Sequence, residues 1–131
     1  MALVVASFTA AASAATCEPP EGFVSHGRVE SETTVVVFRT VPATIEVGRL
    51  FSLEAIVCAK PPGPAARTVR IDAQMPEHRH GMNYRPRVSQ TGESRYLAEG
   101  LLFHMPGRWG LVFDVDWGTG SERLSTDLVL E

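Results

Sequence analysis

The sequence predicts an all-β fold, an antiparallel two-sheet sandwich of immunoglobulin-like topology, and three observations carry that prediction. Past residue 30 the apolar residues recur with period two or in β-branched runs, the pattern of half-buried strands. Gly, Pro or polar turn signals interrupt them at spacings near ten, which yields about seven short strands. No segment sustains a 3.6-residue period over three turns, so no helix is expected.

In order, TTVVVFRT (33–40) reads as a Val/Thr strand, and VPATIEVG follows as a Pro-bounded extended segment and turn. RLFSLEAIVCA (49–59) alternates, and Phe51, Leu53, Ala55 and Val57 form its better core face. KPPGPAA (60–66) is a surface connection, because its prolines fix φ and remove donors. RTVRIDAQM (67–75), YRPRVSQ (84–90), RYLAEGLLFHM (95–105), WGLVFDVDW (109–117) and ERLSTDLVLE (122–131) are the remaining strands. On the later strands the expected inward set is Leu97, Leu101, Phe103, Trp109, Leu111, Phe113 and Val115, with Tyr96 a further core or corner residue. Pro106-Gly107 has the type II turn signature, where the glycine takes a positive φ.

Residues 1–15, MALVVASFTAAASAA, are uncharged and small or apolar, and Ala12-Ser13-Ala14 supplies the small residues of a cleavage site. They read as a signal peptide, with 16–131 the exported domain, in the periplasm or an equivalent extracytoplasmic space. This stretch falls short of the roughly 20 residues of a membrane-spanning helix. Membrane attachment would require lipidation of Cys17, whose preceding AAT lacks a lipobox. The only cysteines are Cys17 and Cys58, and an oxidising compartment predicts that they pair, closing a loop of about 40 residues. A net charge of −3 with a single lysine excludes the basic face that nucleic acid demands.

The segment MPEHRHGMNY (75–84) gathers two histidines and two methionines, and a second dyad, His104-Met105, also precedes a proline. If 78–82 is extended, His78, His80 and Met82 share one face. Thioether sulfur is a soft neutral donor suited to Cu(I), and imidazole accepts copper in either oxidation state. Met75, His78, His80, Met82, His104 and Met105 are therefore candidate copper ligands, with Cu(I) favoured, and zinc is a poorer match for want of a nearby thiolate or carboxylate at a familiar spacing. Two other readings stand beside it. Met75 and Met105 could simply plug the end of the sandwich while the histidines cap loop carbonyls, or Arg79, Arg85, Arg87 and Arg95 could surround the loop to bind an anion or peptide. Trp109 is expected to be core packing rather than a ligand platform. Catalysis has no support: there is no G-x-S-x-G, no carboxylate soon enough after His80 for a cupin iron site, and Asp114 and Asp116 fit a solvated strand face.

The stretches MPEHRHGMNYRPRV and GESRYLAEGLLFHMPGRWGLVFDV, with IEVGRLFSLEAIV before them, resemble the small exported domains called YtkA-like. The likeness spans about residues 42 to 130, and its motif falls on Met75, His80, Gly81, Met82, Met105, Pro106, Gly107 and Trp109. The resemblance implies an immunoglobulin-like sandwich in the cell envelope, in the neighbourhood of FixH-like and copper-handling proteins. His78 departs from the pattern and adds a potential ligand; Cys17 departs by lacking a lipobox. The combined expectation is an exported, monomeric copper carrier or accessory protein serving a metal-delivery or other envelope partner. The competing expectation is a metal-free interaction module that docks on such a partner.

Overall fold

A computed structural model describes residues 17–131, so the expected signal peptide at 1–15 lies outside the described residues. The strands are β1 Gly27–Glu30, β2 Thr34–Val41, β3 Leu50–Ala59, β4 Thr68–Met75, β5 His80–Gly81, β6 Arg87–Gly92, β7 Arg95–Leu102, β8 Gly107–Asp116 and β9 Ser121–Leu130. They form two antiparallel sheets, ordered β1-β2-β3-β7-β6 and β5-β4-β8-β9. The two-sheet sandwich is as expected. The seven expected strands become nine, because β1 and the two-residue β5 are too short to leave a periodic signal.

The core lies between the sheets and follows the alternation of the strands. Phe51, Leu53, Ala55 and Val57 of β3 face Ile71, Ala73 and Met75 of β4 and Trp109, Leu111, Phe113 and Val115 of β8, all of them buried. Leu97 is a correction: Tyr96 and Ala98 point inward in its place, and Leu97 is only half-buried on the other face. Gly100, at φ +86°, is an extra residue where the β3–β7 register jumps from Ser52↔Glu99 to Phe51↔Leu101. The bulge shifts the phase by one, so Tyr96 and Ala98 precede it inward and Leu101 and Phe103 follow it inward.

The outer face of β2 and β3 carries a second apolar layer. Val35, Val37, Ile56 and Cys58 are buried there although they lie outside the inter-sheet core. Residues 17–26 run across this face. Cys17 is joined to Cys58, with Cα atoms 5.6 Å apart, as the cysteine count predicts. Further along, the Arg39 guanidinium lies 4.5 Å over the Phe23 ring and also pairs with Glu54.

The strand directions define two poles. Leu50, Leu102, Met75, Gly107 and Leu130 mark one, through the pairings Leu50↔Leu102 and Gly107↔Leu130. Thr34, Ala59, Thr68 and Asp116 mark the other. There the Glu122 carboxylate accepts hydrogen bonds from Thr33 Oγ1 at 2.8 Å and Thr34 Oγ1 at 2.7 Å and ties the two sheets together.

Candidate metal centre

The first pole holds the His/Met cluster. β4 ends at Met75, whose carbonyl accepts a hydrogen bond from the His78 amide at 3.2 Å, and residues 76–79 form a turn with Arg79 left-handed at φ +53°. β5 then pairs back, His80 opposite Met75 and Gly81 opposite Gln74. The premise of an extended 78–82 is thus corrected: only His80 and Gly81 are strand, because Pro76 stops the ladder and reverses the chain. The turn nonetheless leaves the His78 and His80 rings 5.7 Å apart between centroids.

His104 reaches the same place from the other sheet. It sits between the end of β7 and the Met105-Pro106 bend, and its ring centroid is 5.2 Å from that of His80. Trp109 sets this distance. Its fully buried indole stacks on Phe103 at 4.5 Å and 5°, and its Nε1–H donates to the Met105 carbonyl at 3.0 Å, which fixes the bend. The His104 and His80 rings make T-shaped contacts with the same indole, centroids 5.4 and 6.0 Å away. Trp109 is core packing, as expected, and also the floor under two imidazoles.

The nitrogens of these rings are distinguishable. His80 Nδ1 lies 3.0 Å from the Gly81 carbonyl, which can only accept, so Nδ1 carries the proton and Nε2 of the neutral ring offers a lone pair. His104 Nδ1 is buried and has no hydrogen-bond partner. In the tautomer protonated at Nε2, this Nδ1 offers a second unpaired lone pair. Two imidazoles on one tetrahedral ion, with metal–nitrogen bonds near 2.0 Å, hold their centroids about 5 Å apart. The His80–His104 spacing of 5.2 Å falls at that value.

The methionines divide. Met75 is 2% exposed in the core, its methyl so close to residue 107 that a Cβ there would sit 2.9 Å away. Gly107, at φ +125°, is favoured by its backbone conformation, and an added Cβ would also push the end of the Met75 side chain aside. Met82 and Met105 are half-buried and pack against the core, each within two residues of a histidine in sequence. Among the described residues no set of three or more His, Cys, Asp and Glu side chains is arranged to hold an ion, so any complete set must recruit thioether sulfur or move a ring. Glu77, the only acidic residue of the 75–84 segment, is engaged by Arg108 at 3.1 Å. The hydrogen bonds that Arg108 donates to Asp127 and then to Glu77 hold its guanidinium above its ordinary pKa.

The four arginines considered for anion binding are not brought together. Arg87 pairs with Glu99, and Arg95 opens β7 at the opposite end, about 23 Å along the strand from its last residue. Sequence reasoning missed the floor formed by Trp109 and the role of the Gly81 carbonyl. The first had a signal, since Trp109 lies four residues after Met105, across a Pro-Gly turn. No family model, curated protein or solved structure matches the chain.

Proposed function

We propose that this protein is an exported copper carrier or accessory protein of the cell envelope, and that it holds Cu(I) at the pole bearing His80 and His104. In this reading His80 Nε2 and His104 Nδ1 supply two imidazole donors, and Met82, Met105 or His78 completes the set. Membership of the YtkA-like domains and the immunoglobulin-like kinship belong to the same proposal. The observation that carries it is the buried, unpartnered Nδ1 of His104 beside a second imidazole at a spacing that one ion would span.

Three chemical points favour a soft monovalent ion. Both cysteines are consumed by the disulfide, so no thiolate remains. Glu77 is occupied by Arg108, which removes the nearest carboxylate in sequence and with it the usual partner of a harder ion. The neutral donors left over are imidazole and thioether, the combination that suits Cu(I).

Titration of Cu(I) into the apo-protein against a competing chelator tests the reading, with circular dichroism to show that the variants fold. His80→Ala/His104→Ala is expected to weaken Cu(I) by about 100-fold or more, since it removes two of three or four ligands. Unchanged affinity in the folded double variant would reject the assignment. Binding should also weaken in acid, because protons compete for imidazole nitrogen.

A further inference from the structure

Three imidazoles follow one another at the histidine pole, and their surroundings are graded. His78 is exposed on the turn after β4, His80 is half-buried on β5, and His104 keeps its Nδ1 buried. His80 is the common member of both ring contacts. Its centroid lies 5.7 Å from that of His78, with the planes inclined by 33°, and 5.2 Å from that of His104, inclined by 35°. Among the described residues no ring contact joins His78 directly to His104, and no three such side chains converge. The cluster is therefore two overlapping pairs and not one triad.

The two pairs cannot both be occupied. The Gly81 carbonyl takes up Nδ1 of His80, which leaves Nε2 as the one lone pair that ring can offer a metal. One lone pair serves one ion, so an ion shared with His78 and an ion shared with His104 are alternatives. Both spacings approach the separation of about 5 Å that a common ion imposes, and the inner pair is the closer match. His78 rides on an exposed turn, whereas His104 sits in a bend pinned by the Trp109 indole at 3.0 Å from the Met105 carbonyl. The outer pair is the one that a donor in solution reaches first.

We propose that His78 is a transfer ligand: Cu(I) enters and leaves through the His78–His80 pair and rests on the His80–His104 pair. His80 keeps hold while one imidazole–copper bond forms and the other breaks; copper stays Cu(I), and no electron is exchanged. Tethering gives His78 a high effective concentration beside the ion, which makes passage through it faster than release into water. This role rests on the copper reading above and narrows it, since it removes His78 from the resting set. It also has a kinetic signature. A ligand used only in passage lowers the barrier in both directions, so its loss slows loading and release by one factor and leaves their ratio, Kd, in place. Loss of a resident ligand instead speeds release and raises Kd.

Stopped-flow absorbance with a chromogenic Cu(I) chelator, in the absence of oxygen, measures both rates. Loading is followed from the chelator complex into apo-protein, and release from loaded protein into excess chelator. In His78→Ala both are expected to fall by the same factor, about tenfold or more, with Kd within about threefold of wild type. His78→Met, which returns a soft donor to the turn, should recover most of the rate. Wild type should load a single Cu(I) per chain, because the two pairs share one lone pair. Three results would each overturn the transfer role while leaving the copper reading in place: faster release with a raised Kd in His78→Ala, unchanged rates in that variant once circular dichroism shows it folded, or two ions per chain. A wild type that holds no Cu(I) would reject the copper reading, and the transfer role with it.

Discussion

Removal of the Cys17–Cys58 disulfide tests how the outer apolar layer is held. The bond spans a sequence separation of 41. In the chain-entropy description, closing such a loop removes about 13 cal/mol/K from the unfolded chain, or roughly 4 kcal/mol at 25 °C. For a domain of about 115 residues the unfolding entropy near the midpoint is about 240 cal/mol/K, so Cys17→Ser/Cys58→Ser should lower Tm by about 16 °C. The drop should come with a local signature, because Cys17 tethers residues 17–26 over Val35, Ile56 and Cys58. Amide hydrogen exchange should quicken first along that segment and the outer face of β2 and β3, with the β4–β8 pairing protected until global unfolding. Calorimetry under oxidising conditions measures the first effect, and exchange mass spectrometry the second. A double variant that melts within about 3 °C of wild type would refute the reasoning, since it would mean that packing alone positions the segment.

Two further substitutions probe the poles. Gly107→Ala should cost about 1 to 3 kcal/mol, from a positive φ and the clash with the Met75 methyl, read as a lower thermal midpoint. Glu122 is held below the usual carboxylate range by the Ser31, Thr34 and Thr33 hydroxyls, despite partial burial. Its contribution is therefore fully present above the unfolded carboxylate pKa of about 4.3 and is lost as pH falls through the lower folded value. Glu122→Gln should lose about 1 kcal/mol at neutral pH and flatten that part of the acid stability profile, as denaturant titrations from pH 6 downward would record.

The fold was legible where alternation was long. β3, β4 and β8 each run eight to ten residues with one strongly apolar face, and a one-residue slip would put Phe51 or Phe113 in water. Phase failed at Leu97 because a bulge costs one residue of register and leaves only a glycine in the strand as its mark, here Gly100. β5 was illegible, since two residues have no period. In the candidate site, the residue types were visible as a cluster, but their convergence was not. His78 and His80 were expected to align through strand geometry, whereas a turn and a left-handed Arg79 bring the rings near each other. His104 arrives by way of a bend pinned by an indole N–H to a carbonyl, a contact that no local pattern announces.

The two tryptophans, fully buried Trp109 beneath the imidazoles and half-buried Trp117 at the far end of the sandwich, have a practical consequence. An indole shielded from water fluoresces at shorter wavelength than one that touches it, so their emissions are separable without any label. Copper arriving over Trp109 would quench the blue component and spare the red one, giving the molecule a built-in optical gauge of occupancy with its own reference channel.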